Sequence, residues 1–464
     1  MNVASLLKIS STGLQDQRLT PPETFINDIA SLSPKRGRYT TRWERIEFES
    51  TPQFGQQATA EIPVKGHLLH KLYLVATLPD IYGPQEGAIA PRFGWTNSTG
   101  HALIEEAAID IAGKPIDTLD SRLLEVLDEF NTPLEHISTV NKLIMRDPSN
   151  FSTSSGSSSQ VCVPLPFWFA RDPALALPVD AINADLIRLR VQIRSLAEMY
   201  YTDSRTTDGA LWPLLNSALY EAGSQPVPQG LSVPEGTTGV QPLPTQMPSS
   251  LRLGETYLIG EYIYLDKAEA NRFRIADIEI PIVQHYQLPV TDTEGAPRIN
   301  TEVVLPHPTR ALYWMAQRQD AAALNAHFNA CADISAGLWP DAGPTTPVPQ
   351  PAWRFRGGEP FTGFSLAYDG YIRARTEAPQ LYRSILPSME HKKSPYINKY
   401  YYTLSLSDQQ EPLSAPVGEA NLDKIQRRSF YAEFAKPAAP MNVYIWGETF
   451  NVLKIYGGRA GLLF

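Results

Sequence analysis

Cysteine is almost missing from this 464-residue chain, which holds only Cys162 and Cys331. Two thiols give no disulfide framework, and they point to synthesis in a reducing, intracellular compartment. Long apolar runs are missing too. No stretch of about 18 apolar residues occurs, which argues against a membrane-spanning helix. The opening MNVASLLKISSTGLQDQ lacks the basic-then-apolar order of a secretion signal. Positive charge is in deficit: the formal net charge is −9 and the sequence pI about 5.5. A chain whose main task is holding nucleic acid carries the opposite sign, so direct sequence-specific nucleic-acid binding is not expected. The one basic cluster, SPKRGRYTTRWER, holds Lys35, Arg36, Arg38, Arg42 and Arg45. It reads as a solvated, partly strand-borne face or as a contact for an acidic partner or lipid headgroups.

Catalytic motifs are absent as well. The histidines at 67, 70, 101, 136, 285, 307, 327 and 391 form neither H-E-x-x-H nor His-x-His, which removes the usual zinc-protease helix face. His67 and His70 are three apart in a strand-like run and project to opposite faces. GWTNSTGH has spaced glycines without the lysine of a phosphate loop, and no G-x-S-x-G elbow occurs. Acidic residues are plentiful, but no local context singles out a carboxylate pair of the kind that cleaves glycosides. Cys162, in the apolar run QVCVPLPFWF, reads as a small core residue rather than a nucleophile. The N-x-S/T triplets at Asn97 and Asn150 read as coincidental without a secretion signal. No catalytic, cofactor-binding or metal-binding residue is therefore singled out, and no cofactor is expected.

What the chain has in abundance is punctuation, with 40 prolines and 29 glycines between short runs of alternating character. In DLIRLRVQIR, Ile187, Leu189, Val191 and Ile193 share one face while Arg188, Arg190, Gln192 and Arg194 share the other. Such period-2 alternation predicts a half-buried antiparallel strand. KLYLVATL behaves likewise, with Leu72, Leu74, Ala76 and Leu78 on one side. ETYLIGEYIYLD, YYYTLSLSD and NVLKIY add strands rich in Tyr, Ile and Val. Helical pattern is scarce. DSRLLEVLDEFN places Leu123, Leu127 and Phe130 at helical spacing behind an Asp120 or Ser121 cap, and DKAEANRF predicts a short helix capped by Asp266. The chain reads as all-β. Stretches 149–160, 203–250 and 341–351 read as surface loops. A boundary at residue 266 is expected, because the strand after the long insert needs partners in the first half. LYLVA at 72–76 and LYWMA at 312–316 form a faint echo that fits two similar tandem domains.

Five stretches taken in order carry a family resemblance. They are WTNSTGHALIEEAAIDIAGKPIDTLDSRLLEVLDEF, PLPFWFARDPALALPVDAINADLIRLRVQIRSL, EYIYLDKAEANRFRIADIEIPIVQ, LPHPTRALYWMAQ and NVYIWGETFNVLKIYGGRAGLLF. Together they resemble the major capsid proteins of nucleocytoplasmic large DNA viruses, the group that includes iridoviruses and chloroviruses. The match spans roughly residues 95 to 464, although SLSDQQEPLSAPVGEANLDKIQRR keeps only the outline of its expected counterpart and the 203–250 insert has none.

The resemblance implies a double jelly roll, two tandem eight-stranded antiparallel β-sandwiches with few short helices. It implies an N-terminal arm at 1–24, a first jelly roll at 25–266 and a second at 267–464. It further implies a homotrimer with pseudo-hexagonal outline that tiles an icosahedral shell beside neighbouring capsomers. Minor capsid proteins and an internal lipid membrane would lie on the inner face, reached by the arm. The protein would be a virion component assembled inside the host cell, in its cytoplasm. A β-sandwich carbohydrate-binding protein or glycosidase is the alternative, since 21 tyrosines suit sugar stacking. The apolar close, Leu462, Leu463 and Phe464 after Gly457 and Gly458, is expected to turn sharply and be buried under a neighbouring element or subunit.

Overall fold

The computed structural model describes residues 39–79, 92–146, 159–203, 251–319, 321, 325–332, 358–395, 399–407, 419–434 and 440–464. Lys35, Arg36, Arg38, Asn150 and the expected loops at 204–250 and 341–351 lie outside these residues. So does the serine-rich stretch, except that Ser159 and Gln160 already belong to a strand.

The first half contains β1 (Tyr39–Ile46), β2 (Gln57–Glu61), β3 (Leu68–Leu78), β4 (Arg92–Trp95), β5 (Ile104–Ile111), β6 (Lys114–Asp120), β7 (Ser159–Pro164), β8 (Ile187–Ile193), β9 (Tyr200–Asp203) and β10 (Thr256–Leu265). Its sheets run β1-β10-β3-β7 and β2-β8-β5-β6, with β4 and β9 paired apart. The second half contains β11 (Ile278–Gln287), β12 (Thr291–Asp292), β13 (Arg298–Glu302), β14 (Pro308–Arg318), β15 (Phe361–Tyr368), β16 (Tyr371–Thr376), β17 (Tyr402–Ser405), β18 (Ala420–Asn421), β19 (Arg428–Phe434), β20 (Met441–Tyr456) and β21 (Arg459–Leu462). Its sheets run β11-β20-β14-β17 and β13-β19-β15-β16, with the short β12, β18 and β21 attached to the first of them.

Counted along each half, the main strands fall in the same two orders: first, eighth, third, sixth, and second, seventh, fourth, fifth. Every strand pairing among the described residues is antiparallel. That is the winding of a jelly roll, and it occurs twice.

Alternation builds the layers. In β8 every second residue from Ile187 to Ile193 is buried and the intervening ones are not. Leu72, Leu74 and Ala76 of β3 point into the first sandwich, in one core with Ile109, Leu189 and Val191. In the second, Trp314 of β14 meets Phe364 and Phe430 of the opposing sheet edge-on, at ring centroids 4.8 and 5.5 Å. Successive side chains on a strand point to opposite faces. Tyr313 and Met315 therefore lie on the outer face of the β11-β20-β14-β17 sheet, yet both are buried. Something covers that face.

The helices sit where the caps are. Asp120 accepts from the backbone of Arg122 (2.7 Å) and Leu123 (2.9 Å) and starts the Ser121–Asn131 helix. Asp266 accepts from Lys267 at the head of the Lys267–Ile275 helix. The chain's close turns as expected: Gly457 and Gly458 adopt φ of +58° and +79°, and β21 folds back on β20 with Tyr456 opposite Arg459. Burial of the tail within the chain is not observed. Leu462 is half-buried, but Leu463 is 47 % and Phe464 71 % exposed. A two-residue hairpin lays the tail along the edge of β20, where no further layer covers it. Asn451 ties the last residue through both of its amide atoms, donating to the Phe464 carbonyl (3.0 Å) and accepting from its N–H (3.3 Å).

Candidate functional site: the seam between the halves

The cover on the outer face of the second half's first sheet is the first half itself. The residues that follow β6 form the Ser121–Asn131 helix, which lies against β14, β20 and the residues that lead into β17. Phe130 packs on Tyr313 (ring centroids 5.7 Å) and on His391 (5.2 Å). Arg122 donates to the Gln317 carboxamide oxygen (3.1 and 3.2 Å) and stacks over Tyr444 at 4.4 Å. Trp446 of β20 donates its indole N–H to Asp120 (2.6 Å). Asp120 therefore caps a helix and anchors the other half at once. The apolar stripe predicted for this helix does face the interior, but Glu125 and Glu129 are buried as well.

Those carboxylates form the centre of the seam. Glu125 Oε2 receives Arg146 (2.6 Å) and lies 2.7 Å from His101 Nδ1, while its Oε1 receives Lys399 (2.5 Å) from the second half. Glu129 Oε1 receives Lys399 as well (2.7 Å), and Lys393 approaches its Oε2 at 3.6 Å. Asp128 receives Arg146 (2.6 Å). Three carboxylates thus face one guanidinium and two ammonium groups, and all six side chains are more than nine-tenths buried. Burial works against each ionised carboxylate. The neighbouring cations overcome it, holding Glu125 well below the usual carboxylate range and Glu129 and Asp128 below it. Arg146, desolvated but ringed by acids, is held well above the ordinary guanidine value.

A second centre lies at β20. Glu448, fully buried, accepts from Arg171 of the first half (2.9 Å) and from the Tyr313 hydroxyl (2.9 Å). Burial opposes its charge, yet Arg171, Arg310 and His285 bring it down to about 2. Beside it, Asp117 in the middle of β6 accepts from the His285 backbone N–H (2.8 Å) and faces its Nδ1 (3.1 Å). At a third place His327 reaches the Glu198 carbonyl (2.7 Å), and Thr96 and Ala197 exchange hydrogen bonds with Asn325. Burial, with Arg194 nearby, lowers His327 to about 3, and burial lowers His391 to about 4. The terminal hairpin joins in, as Gly458 O accepts from Ala184 (2.9 Å) and Asp185 accepts from Ala460 (2.9 Å).

Sequence reasoning placed Asp120 and Phe130 on a helix but singled out none of these residues as a site. His101, His285, His327 and His391 all lie on the seam, far apart in the chain and invisible as a group. His67 and His70 do not meet: one accepts from the Leu265 N–H (2.8 Å), and the other bonds the Phe169 carbonyl (2.8 Å). Cys331 is buried and Cys162 half-buried on β7. In the Asn97 triplet, Ser98 and Thr99 are fully buried. Arg42 and Arg45 of the basic cluster are exposed on β1 and paired with Glu44, Glu47 and Glu255. Among the described residues no group of three or more His, Cys, Asp or Glu side chains is placed to hold a metal ion. No described helix is long and apolar enough to cross a membrane. The chemistry of the seam is cohesion: paired, desolvated charges that fix one half on the other.

Comparison with known proteins agrees with this architecture. A profile for the major capsid protein N-terminus matches residues 35–222. A profile for the large eukaryotic DNA virus major capsid protein matches residues 272–461. The chain is 20 % identical to probable capsid protein 4 of Acanthamoeba polyphaga mimivirus, over 99 % of this chain and 98 % of that one. It is 22 % identical to the major capsid protein of Pyramimonas orientalis virus over the same shares. The fold superposes on the capsid protein of the PBCV-1 virus capsid with a TM-score of 0.69 at 16 % identity, covering 95 % of this chain and all of the other. The chain belongs to the major capsid protein family of large eukaryotic DNA viruses.

Proposed function

We propose that this virion structural protein works as a homotrimer, a capsomer of pseudo-hexagonal outline that tiles an icosahedral shell. The observation that carries the reading is the repeated jelly roll with its buried seam. Two sandwiches of identical strand order, fixed side by side, supply two of six similar wedges, so three chains supply all six. The division falls at the Lys267–Ile275 helix, with the first jelly roll at 25–266 and the second at 267–464. The arm at 1–24 and the basic cluster through Arg45 lie on the inner side, where Lys35 to Arg45 meet minor capsid proteins or an anionic internal membrane by salt-sensitive attraction. The loops at 149–158 and 204–250 stand on the outer side, where their length does not obstruct contacts between capsomers. Assembly takes place in the host cytoplasm.

Native mass spectrometry of the purified protein tests the central point. The expected species is three times the 51.5 kDa chain. A monomer at all concentrations up to those of assembly counts against the trimer and favours a lectin-like protein. Cryo-electron maps of particles that put Arg42 and Arg45 on the outer surface would overturn the placement of the arm.

A further inference from the structure

The two halves repeat one another strand by strand, and the repeat exposes an unfilled position. LYLVA in β3 and LYWMA in β14 occupy the same place in their sheets. A second matching pair lies on the adjacent strands: YLIGE at 257–261 in β10 and YIWGE at 444–448 in β20. Their registers agree. Tyr257, Ile259 and Glu261 lie opposite Val75, Tyr73 and Lys71, as Tyr444, Trp446 and Glu448 lie opposite Met315, Tyr313 and Ala311. The covering elements repeat too. The β5–β6 and β15–β16 hairpins both turn on two residues of positive φ, Ala112–Gly113 and Asp369–Gly370, and a bulge follows in each ladder. After β6 comes the Ser121–Asn131 helix, and after β16 the helical residues 381–390.

In the second half the outer face of β11, β20 and β14 is covered by β6 and the Ser121–Asn131 helix. The equivalent face of β1, β10 and β3 has no such cover among the described residues. Trp43 is 50 % exposed, and Tyr73, Tyr257 and Ile259 are half-buried beside it. The equivalent cover, β16 and residues 381–390, packs inward on its own half through Tyr382, which meets Trp314 and Phe364 at ring centroids 6.2 and 4.4 Å. Its outward side is bare among the described residues and apolar, with Tyr371 81 % and Met389 77 % exposed, and Ile372 and Ile385 exposed as well. A bare face and a bare cover, related by the same repeat, are complementary in a second copy.

We infer that β16 and residues 381–390 of one chain cap the outer face of β1, β10 and β3 of the next chain, in the way β6 and the Ser121–Asn131 helix cap the second half within a chain. Charge agrees with this. Glu448 receives Arg171 from the other half, from the turn after β7 rather than from β6 or the helix, whereas its counterpart Glu261 has a buried Oε2 without a hydrogen-bond partner, with Lys71 at 3.7 Å. β16 brings the exposed Arg373 and Arg375. Such a contact is head-to-tail, and a head-to-tail contact makes a ring when its rotation closes. Alternating with the internal joint, it closes after three chains and leaves no bare face.

This inference rests on the trimer reading, and the experiment separates the two. Native mass spectrometry of the unaltered protein comes first, and a monomer there defeats the trimer itself. If it is a trimer, Met389→Glu and Tyr371→Glu on the cover and Trp43→Glu on the face are each expected to raise the concentration for half-dissociation at least tenfold. All three positions are exposed in the chain, so circular dichroism of the resulting monomers should be unchanged. In the double variant Trp43→Cys/Met389→Cys, oxidation should link chains into ladders on a denaturing gel, and neither single variant should do so. Trimers that persist undiminished in all three glutamate variants, with no ladder, would overturn the inference and leave the trimer standing.

Discussion

At the scale of single residues, the seam invests in charge where apolar packing would serve. A buried ion pair is often no better than a well-packed apolar substitute, but removing one partner leaves a stranded charge. Arg146 serves Glu125, Asp128 and Glu129 together. Arg146→Met should therefore lower unfolding free energy by about 3–5 kcal/mol, read by denaturant titration. A loss under about 1 kcal/mol would mean the network contributes little. The histidines set the response to acid. His327 and His391 are held neutral in the fold, at about 3 and about 4, whereas an unfolded histidine takes its proton near pH 6.5. Between these values the unfolded chain binds more protons, so stability falls as pH falls below 6.5. At pH 5 the loss is about 2 kcal/mol for each histidine. His327→Gln should remove about 2 kcal/mol of the decline between pH 7.5 and 5, to which His391 and His70, also lowered by burial, contribute the rest of the histidine share. Glu448, lowered to about 2, adds its loss only below pH 4.5, where the unfolded chain takes a proton that the folded carboxylate does not accept until about 2.

At the scale of elements, strands were legible and their partners were not. The alternation in β8 and β3 states which side is buried, because a period of two has one meaning on a pleated sheet. The Ser121–Asn131 helix was legible from its cap and apolar stripe. Its role was not, since Glu125 and Glu129 read as solvent-facing residues until Lys399, 270 residues or more away, arrives beside them. The echo of LYLVA in LYWMA was a real signal of repetition, yet it became informative only once sheet order placed both in equivalent strands. The tail is legible only in part: its hydrophobicity suggests burial under a neighbouring element or subunit, and within the chain the hairpin leaves Leu463 and Phe464 outside. Its two glycines differ in a testable way. Space is open around Gly457, whereas Asn183 Oδ1 of the first half stands where a side chain on Gly458 would go. Left-handed backbone costs a residue with a Cβ about 1–2 kcal/mol. Gly457→Ala should cost about that much, and Gly458→Ala measurably more, because it also pushes the hairpin off Asn183 and Ala184. Equal melting temperatures for the two variants would show that the hairpin does not dock on the first half.

At the scale of the whole molecule, the seam decides whether this is two domains on a string or one rigid piece. Interfaces between domains of one chain are ordinarily modest and polar, and motion is the default expectation across them. Here Tyr313, Met315 and Trp446 are almost fully removed from water by the other half, and the buried residues of both halves form one continuous core. A shell needs this rigidity, because an angle that drifts within each subunit would accumulate over a lattice of subunits. The same construction makes each half incomplete. Residues 267–464 alone would expose the aromatic face of β20 and β14 and would leave Glu448 without Arg171. Residues 25–266 alone would keep Glu125 and Glu129 without Lys399. Both halves expressed separately should bind a hydrophobic dye and melt without a sharp transition, whereas the two expressed together should associate and recover a single cooperative one. A second half that folds alone and melts as sharply as the intact chain would mean that the seam is an ordinary domain contact. The orientation of the two sandwiches would then have to be fixed by the capsomer rather than by the subunit.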